Sequence, residues 1–254
     1  MKKIIIATGL ASLLSLSLNA DFLKFEIGAG GWNQDPSGTV VQHEAGSLDA
    51  TYTSNETTVT NAYVWMLLKH PIPIVPNIRL EYAKLNDEGV AKGSFDNFNA
   101  PLGSASSIDI TEYDVIPYYN LLDDSLWITL DLGVDLRIQT TDFKANNVEL
   151  VSMPNYLATY EDETTTLIPL LYARARVEIP STDIGLESDV KFITYDGSTV
   201  YDIRAKVDYT LSFVPVVQPA LEIGYRIQKF DVTDDDTVTD LTFAGVYGGL
   251  MLRF

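Results

Sequence analysis

The stretch "LWITLDLGVDLRIQ", Leu126 to Gln139, decides the fold. Leu126, Ile128, Leu130, Leu132, Val134, Leu136 and Ile138 occupy every second position. Trp127, Thr129, Asp131, Gly133, Asp135, Arg137 and Gln139 fill the gaps. A period of two is the signature of a strand with unlike faces, whereas a helix repeats every 3.6 residues. "YDIRAKVDYTLSF" repeats the pattern, setting Tyr201, Ile203, Ala205, Val207 and Tyr209 against Asp202, Arg204, Lys206 and Asp208.

Working outward, ten such runs follow one another at about 22–32, 57–70, 77–86, 107–119, 125–139, 165–179, 184–196, 199–213, 219–231 and 241–254. The connections alternate in length. Short ones, several with proline ("HPIPIVPN", "IPSTD", "FVPVVQP"), alternate with long polar ones, apart from the tight "YDGST" hairpin. Short turns at one end of a sheet and long loops at the other are the layout of a transmembrane β-barrel.

A soluble sandwich or barrel shows the same alternation, with its apolar face turned inward. Three features argue against it. Several runs reach 11 to 15 residues, when ordinary strands average about 5–6 and tilted spanning strands need about 9–11. Aromatic residues gather near run ends (Phe22, Trp32, Tyr118, Tyr119, Tyr195, Tyr201, Phe213, Phe230, Phe254) and are read here as interfacial girdles. Finally, the polar faces carry charges of both signs. Lys24 stands with Glu26, Arg79 with Glu81, Arg174 and Arg176 with Glu178, Glu187 and Asp189 with Lys191, and Glu222 with Arg226. Together with Asp131, Asp135, Arg137, Asp202, Arg204, Lys206 and Asp208 they are predicted to form a hydrogen-bonded charge network in the lumen, since a buried unpaired charge is costly.

The fold class predicted is therefore all-β: a transmembrane antiparallel up-and-down barrel of about 10 strands, with short periplasmic turns and longer acidic extracellular loops. Pro117 and Pro169 interrupt strand runs, so a β-bulge or strand start is expected near each. A further bulge near Thr111–Glu112 is expected from a change of apolar phase between Ile108, Ile110 and Tyr113, Val115, Tyr119.

The N-terminal segment pairs Lys2 and Lys3 with an apolar run from Ile4 to Leu18 and closes at Ala20. This is the layout of a secretory signal peptide, which assigns 1–20 to the leader and 21–254 to the barrel. No other stretch approaches the 18 apolar residues of a membrane helix. The chain has no cysteine, which rules out disulfides and thiolate metal sites. Without Lys2 and Lys3, 15 basic residues face 35 acidic ones, a formal charge of −20. Such a surface repels nucleic acid and attracts cations.

That excess lies in the loops: Asp35, Glu44, Asp49 and Glu56 in the first, and Asp142, Glu149 and Glu161–Glu163 in the third. Asp231, Asp234, Asp235, Asp236 and Asp240 lie in or beside the last. Asp234, Asp235 and Asp236 are the candidate ligands for a divalent cation, which prefers carboxylate oxygens. No cofactor motif is present. The two histidines offer little catalytic material. His70 lies in a turn, and His43 lies in a loop beside Glu44, Asp35 and Asp49.

The chain closes on "GVYGGLMLRF", where Val246, Leu250, Leu252 and Phe254 share one phase. This ending is similar to the C-terminal aromatic strand of bacterial outer-membrane proteins, and the resemblance implies that these residues are read by the barrel-assembly machinery. "GAGGWNQDPSG", "YDVIPYYNLLDD" and "YGGLMLRF" resemble a small Gram-negative, epsilonproteobacterial-type family of outer-membrane barrels with a Gly-Gly pair near the C-terminus. That resemblance implies fold and location, with no chemistry attached. Glycines 28, 30 and 31 near one end and 245, 248 and 249 near the other suit a barrel seam where first and last strands meet.

The functional expectation is a non-enzymatic outer-membrane barrel, porin-like in build, either structural or a narrow polar channel for ions and small solutes. The alternatives are an outer-membrane enzyme acting on lipid or peptide, or a surface protein binding cations or lipopolysaccharide. Expected partners are outer-membrane lipid and lipopolysaccharide, periplasmic chaperones, the assembly machinery and divalent cations.

Overall fold

The computed structural model describes residues 23–43, 49–72, 74–95, 98–125, 127–150, 153–212, 217–234 and 236–254. The leader segment 1–20, Phe22, Glu44, Phe213 and Asp235 lie outside the described residues. Eleven antiparallel strands follow in order: β1 (Lys24–Gln42), β2 (Ala50–Ser54), β3 (Val59–Lys69), β4 (Asn77–Phe95), β5 (Phe98–Ser125) and β6 (Ile128–Leu150). They continue with β7 (Met153–Glu178), β8 (Ile184–Tyr195), β9 (Ser198–Thr210), β10 (Gln218–Asp234) and β11 (Thr237–Arg253). The short β2 continues the stave of β3. β1 pairs with β3 from Lys24↔Lys69 to Gln34↔Val59, then with β2 from Thr39↔Thr53 to Gln42↔Ala50. The eleven strands thus make ten staves, and β1 pairs with β11 to close the ring.

Alternation sorts the faces. On β6, Asp131, Asp135 and Arg137 are fully buried in the lumen while Leu132, Val134, Leu136 and Ile138 face outward. On β11 the outward residues are Val246, Leu250 and Leu252, and Met251 points in. At the seam Gly30 faces Gly249 and Gly31 faces Gly248. A Cβ on Gly30 would meet the Gly248 carbonyl oxygen at 2.1 Å and the Tyr63 hydroxyl at 2.7 Å. The missing side chains leave room for Tyr63 and Trp65 to cross the lumen from β3.

Four expectations from the sequence need correction. First, three of the long loops are mostly hairpin. β4 and β5 stay paired out to Phe95↔Phe98, and β6 and β7 to Leu150↔Met153. Beyond the apolar belt both faces of a strand meet water, so the alternation fades while the ladder persists; Glu161–Leu167 is exposed residue after residue. Second, β5 has no bulge at Thr111–Glu112. Its register with β4 is continuous from Tyr118↔Asn77 to Ser104↔Ala91, and Ile108 and Ile110 are buried inside the barrel.

Third, the prolines need no bulge. Pro117 keeps its place opposite Ile78, and Ile116 and Pro117 drop out of the ladder with β6 without a change of register. Pro169 stands opposite Leu136 on one side, and the β7–β8 ladder starts only at Leu171↔Phe192 on the other. The imide nitrogen, which has no hydrogen to give, thus falls where the sheet has an edge. Fourth, Trp32, Tyr118 and Phe230 are buried in the lumen rather than set in a girdle. Tyr119, Tyr195 and Trp127 are aromatics that do face outward near strand ends.

Candidate functional site

The lumen is the candidate site, and its composition follows from the inward phase of each strand. At the short-turn end, Arg253 of β11 donates to Asp208 of β9 at 2.8 Å, and Arg176 of β7 grips the same carboxylate through both Nη atoms at 2.6 and 3.0 Å. Glu26 sits between Lys24 and Arg253, each 3.4 Å away. Lys24 and Glu178 have side chains 41% exposed, which puts them at the mouth rather than within.

One layer further in, Glu187 accepts from Arg174 at 3.1 Å and Arg176 at 3.2 Å, while Arg174 Nε reaches Asp131 at 2.7 Å. Glu222 accepts from Tyr63 at 2.7 Å, Trp65 Nε1 at 3.1 Å and Lys206 at 2.9 Å. Lys206 and Arg79 also lie over the Trp65 ring, at 4.4 and 5.1 Å from its centroid, where the π face favours a cation.

At mid-height Lys191 and Arg204 each donate to Glu81 at 2.6 Å, and Arg204 Nε donates to Asp189 at 2.9 Å. Lys191 also reaches Asp114. Above them Arg137 holds Asp114 bidentately at 2.9 Å and reaches Glu112 and Asp202 at 2.9 Å each. Arg226 of the adjoining β10 grips Asp202 at 2.9 and 2.7 Å. Apart from Lys24–Glu26, both on β1, these ion pairs join side chains from different strands, so the charges brace the cylinder from within. Such pairs offset their desolvation cost only when geometry and hydrogen bonding are good.

The network has one conspicuous defect. Asp135 is fully buried, its nearest cations are Lys191 at 3.9 Å and Arg137 at 4.0 Å, and neither of its oxygens receives a hydrogen bond. Its neighbour across β7 is the buried Leu170.

Toward the hairpin end the lumen turns apolar. Trp32, Leu85, Ile108, Ile110, Phe230, Leu241 and Phe243 pack into a layer, joined by the partly buried Phe143, Ile168 and Ile193. Above it Ala50, Ala91, Ala100, Ala145 and Val148 meet from four strands, small residues that let the walls approach. Within the charge network lies an interior cavity of about 10 Å³, bordered by Arg79, Glu187, Lys206 and Glu222 and by the rings of Trp32 and Trp65. That volume is about what one water needs.

All nineteen charged residues named from alternation therefore lie on the inner face or at its mouth. Sequence reasoning left out Glu112, Asp114, Gln228 and Arg253 as members of the network. The change of apolar phase in β5, read as a bulge at Thr111–Glu112, obscured the inward run of Glu112 and Asp114; Gln228, which bonds Arg226 at 3.0 Å, carries no charge to flag it.

The remaining candidates lie elsewhere. His43 Nδ1 is 3.1 Å from Asp49, both about half exposed at the hairpin rim, and the His43 amide donates to the Asp236 carbonyl at 2.7 Å. His70 organises the β3–β4 turn, its ring 3.1 Å from the Pro76 carbonyl. Asp234 ends β10 and Asp236 lies in the turn after it; among the described residues no three carboxylates or imidazoles converge as a metal site.

No protein-family model and no curated protein sequence matches the chain. Among solved structures, the outer-membrane protease OmpT of Escherichia coli aligns with a TM-score of 0.52 at 10% identity, over 93% of this chain and 97% of that one. Neisserial surface protein A aligns at 0.31 and 10% identity, over 92% and 98%. The Pseudomonas putida toluene transporter TodX aligns at 0.33 and 8%, over 94% and 91%. At such identities a likeness speaks to the backbone alone, and the backbone of this chain has the fold of the outer-membrane β-barrels.

Proposed function

We propose that the protein is a non-enzymatic barrel of the Gram-negative outer membrane whose lumen is closed, a structural element that carries acidic hairpins outside the cell. The observation that supports this most is the filling of the lumen. An ion-pair network occupies the short-turn half, apolar side chains gather above it, and a cavity enclosed among the network's side chains is about the size of one water. A conducting pore needs a continuous wet path. Proteoliposomes carrying the refolded protein should therefore show no swelling in iso-osmotic small sugars or amino acids. Swelling that rises with protein content would favour the narrow polar channel instead.

On this reading the short turns are periplasmic, the leader is removed at export, and the assembly machinery engages Val246, Leu250, Leu252 and Phe254. The Gly-Gly family resemblance supports the same placement. Lipid and lipopolysaccharide surround the barrel, and the carboxylates of the hairpins attract divalent cations. Heat-modifiable gel mobility of the protein in outer-membrane fractions tests the location. The enzyme alternative rests on His43 with Asp49, a pair about half exposed to solvent and so poorly shielded from water. A hydrolytic activity lost in His43→Ala would revive it.

A further inference from the structure

Among its described turns the short-turn rim is lopsided. Its β3–β4 and β5–β6 turns present Ile72, Ile74, Val75, Leu121, Leu122 and Trp127 to the outside, with Ile74 87% and Leu121 61% exposed. The β7–β8 turn presents Ser181 and Thr182 instead. The apolar turns are locked together: Tyr119 donates to the Ile74 carbonyl at 2.9 Å, Asn77 to Asn120 at 2.7 Å, and Lys69 pairs with Asp123. A register shift in β5 between Asn120 and Leu122 turns two successive leucines outward, so the side chains cannot alternate into the lumen there. The patch continues into the apolar belt through Tyr119 and Val115 on β5 and Leu132 on β6.

A soluble surface has little reason to carry such a contiguous apolar projection. An amphipathic tryptophan and tyrosine above exposed aliphatics is the composition of a membrane interface. We propose that this face is sunk in the bilayer: its β3–β4 and β5–β6 turns lie at the headgroup–acyl boundary of the leaflet on the short-turn side, and the barrel sits deeper there than at β7–β8. The occupant is lipid, because the patch continues a surface that the barrel already offers to lipid. The inference rests on the membrane reading above.

Tryptophan fluorescence tests it cleanly, because Trp32 and Trp65 are enclosed in the lumen at 1% and 3% exposure while Trp127 is 56% exposed. The refolded chain and its Trp127→Phe variant are reconstituted in phosphatidylethanolamine–phosphatidylglycerol vesicles, and the difference spectrum isolates Trp127. A mid-belt reporter, Leu136→Trp in the Trp127→Phe background, is measured alongside, with Leu132→Trp as a substitute if the first does not fold. Expected is loss of most of the Trp127 signal with lipids brominated near the carbonyl end of the chain, and weak quenching by aqueous iodide. Free iodide access without bromolipid quenching, while the mid-belt reporter is quenched by bromolipid, overturns the inference and leaves the barrel reading standing. Shielding of Trp127 from both quenchers also overturns it, since a protein surface would then cover the turns. Failure of bromolipid to quench the mid-belt reporter removes the membrane reading and this inference with it.

Discussion

Arg137 and Asp135 stand two residues apart on the same inward face of β6, yet their surroundings differ sharply. Arg137 has a carboxylate at each nitrogen, whereas Asp135 has no donor at all. A buried carboxylate left without hydrogen bonds costs stability. Replacing it with the isosteric amide removes that burden, so Asp135→Asn should leave the thermal unfolding temperature unchanged or raise it. Asp202→Asn should do the opposite. Asp202 accepts from Arg137 and from both ends of the Arg226 fork, and breaking a buried pair from one side costs about 3–5 kcal/mol. The temperature at which the folded gel band converts to the unfolded one reads both effects. The glycines of the seam give a second contrast. Gly30→Ala puts a methyl 2.1 Å from the Gly248 carbonyl and should reduce the folded fraction after refolding. Gly31→Ala meets only the Thr60 methyl at 3.3 Å and should refold nearly as the parent does.

At the scale of elements, the β6–β7 hairpin above the apolar belt leans on one side only, through the β5–β6 ladder and the alanine cluster. β7 is paired only with β6 from Met153 to Leu170, and its other edge carries Glu161, Asp162, Glu163 and Pro169. Charges and proline on an edge discourage pairing with other chains. Shortening the β6–β7 hairpin above Thr141 and Thr164 should therefore preserve the barrel and its heat-modifiable shift, while removing Ala145 and Val148 from the cap. Loss of folding would show that the hairpin has a part in closing the ring.

The same elements show what the sequence tells and what it hides. Strands β8, β9 and β10 and the lower part of β6 are legible in the sequence, because one face meets hydrocarbon and the other a charged lumen, so every second residue changes character. The upper part of β5 was misread because its lumen is apolar: Ile108 and Ile110 turn inward with the same chemistry as residues that turn outward. Trp32 and Phe230 were misplaced for the same reason. The hairpin extensions escaped because strands solvated on both faces carry no period. Neighbouring pairs such as Lys24–Glu26 and Arg176–Glu178 were readable, but the links across the barrel were not, since their partners lie as far apart in sequence as Glu81 and Arg204 or Tyr63 and Glu222.

On the scale of the whole molecule, charge is divided by height. Carboxylates and cations interlock within the short-turn half, while exposed acids such as Asp162, Glu163 and Asp234 stand at the hairpin end. The interior therefore serves cohesion, and the exterior sets solubility and the attraction of cations. The apolar side chains of Trp32, Leu85, Ile108, Phe230 and Phe243 stand between the two regions, with the buried Gln34 and Asp87 beside them. The central claim is that the barrel is sealed. Single-molecule recording of the refolded protein in a planar lipid bilayer tests it most directly: a flat trace without discrete steps is predicted, and reproducible stepwise conductance from folded, heat-modifiable protein would contradict it.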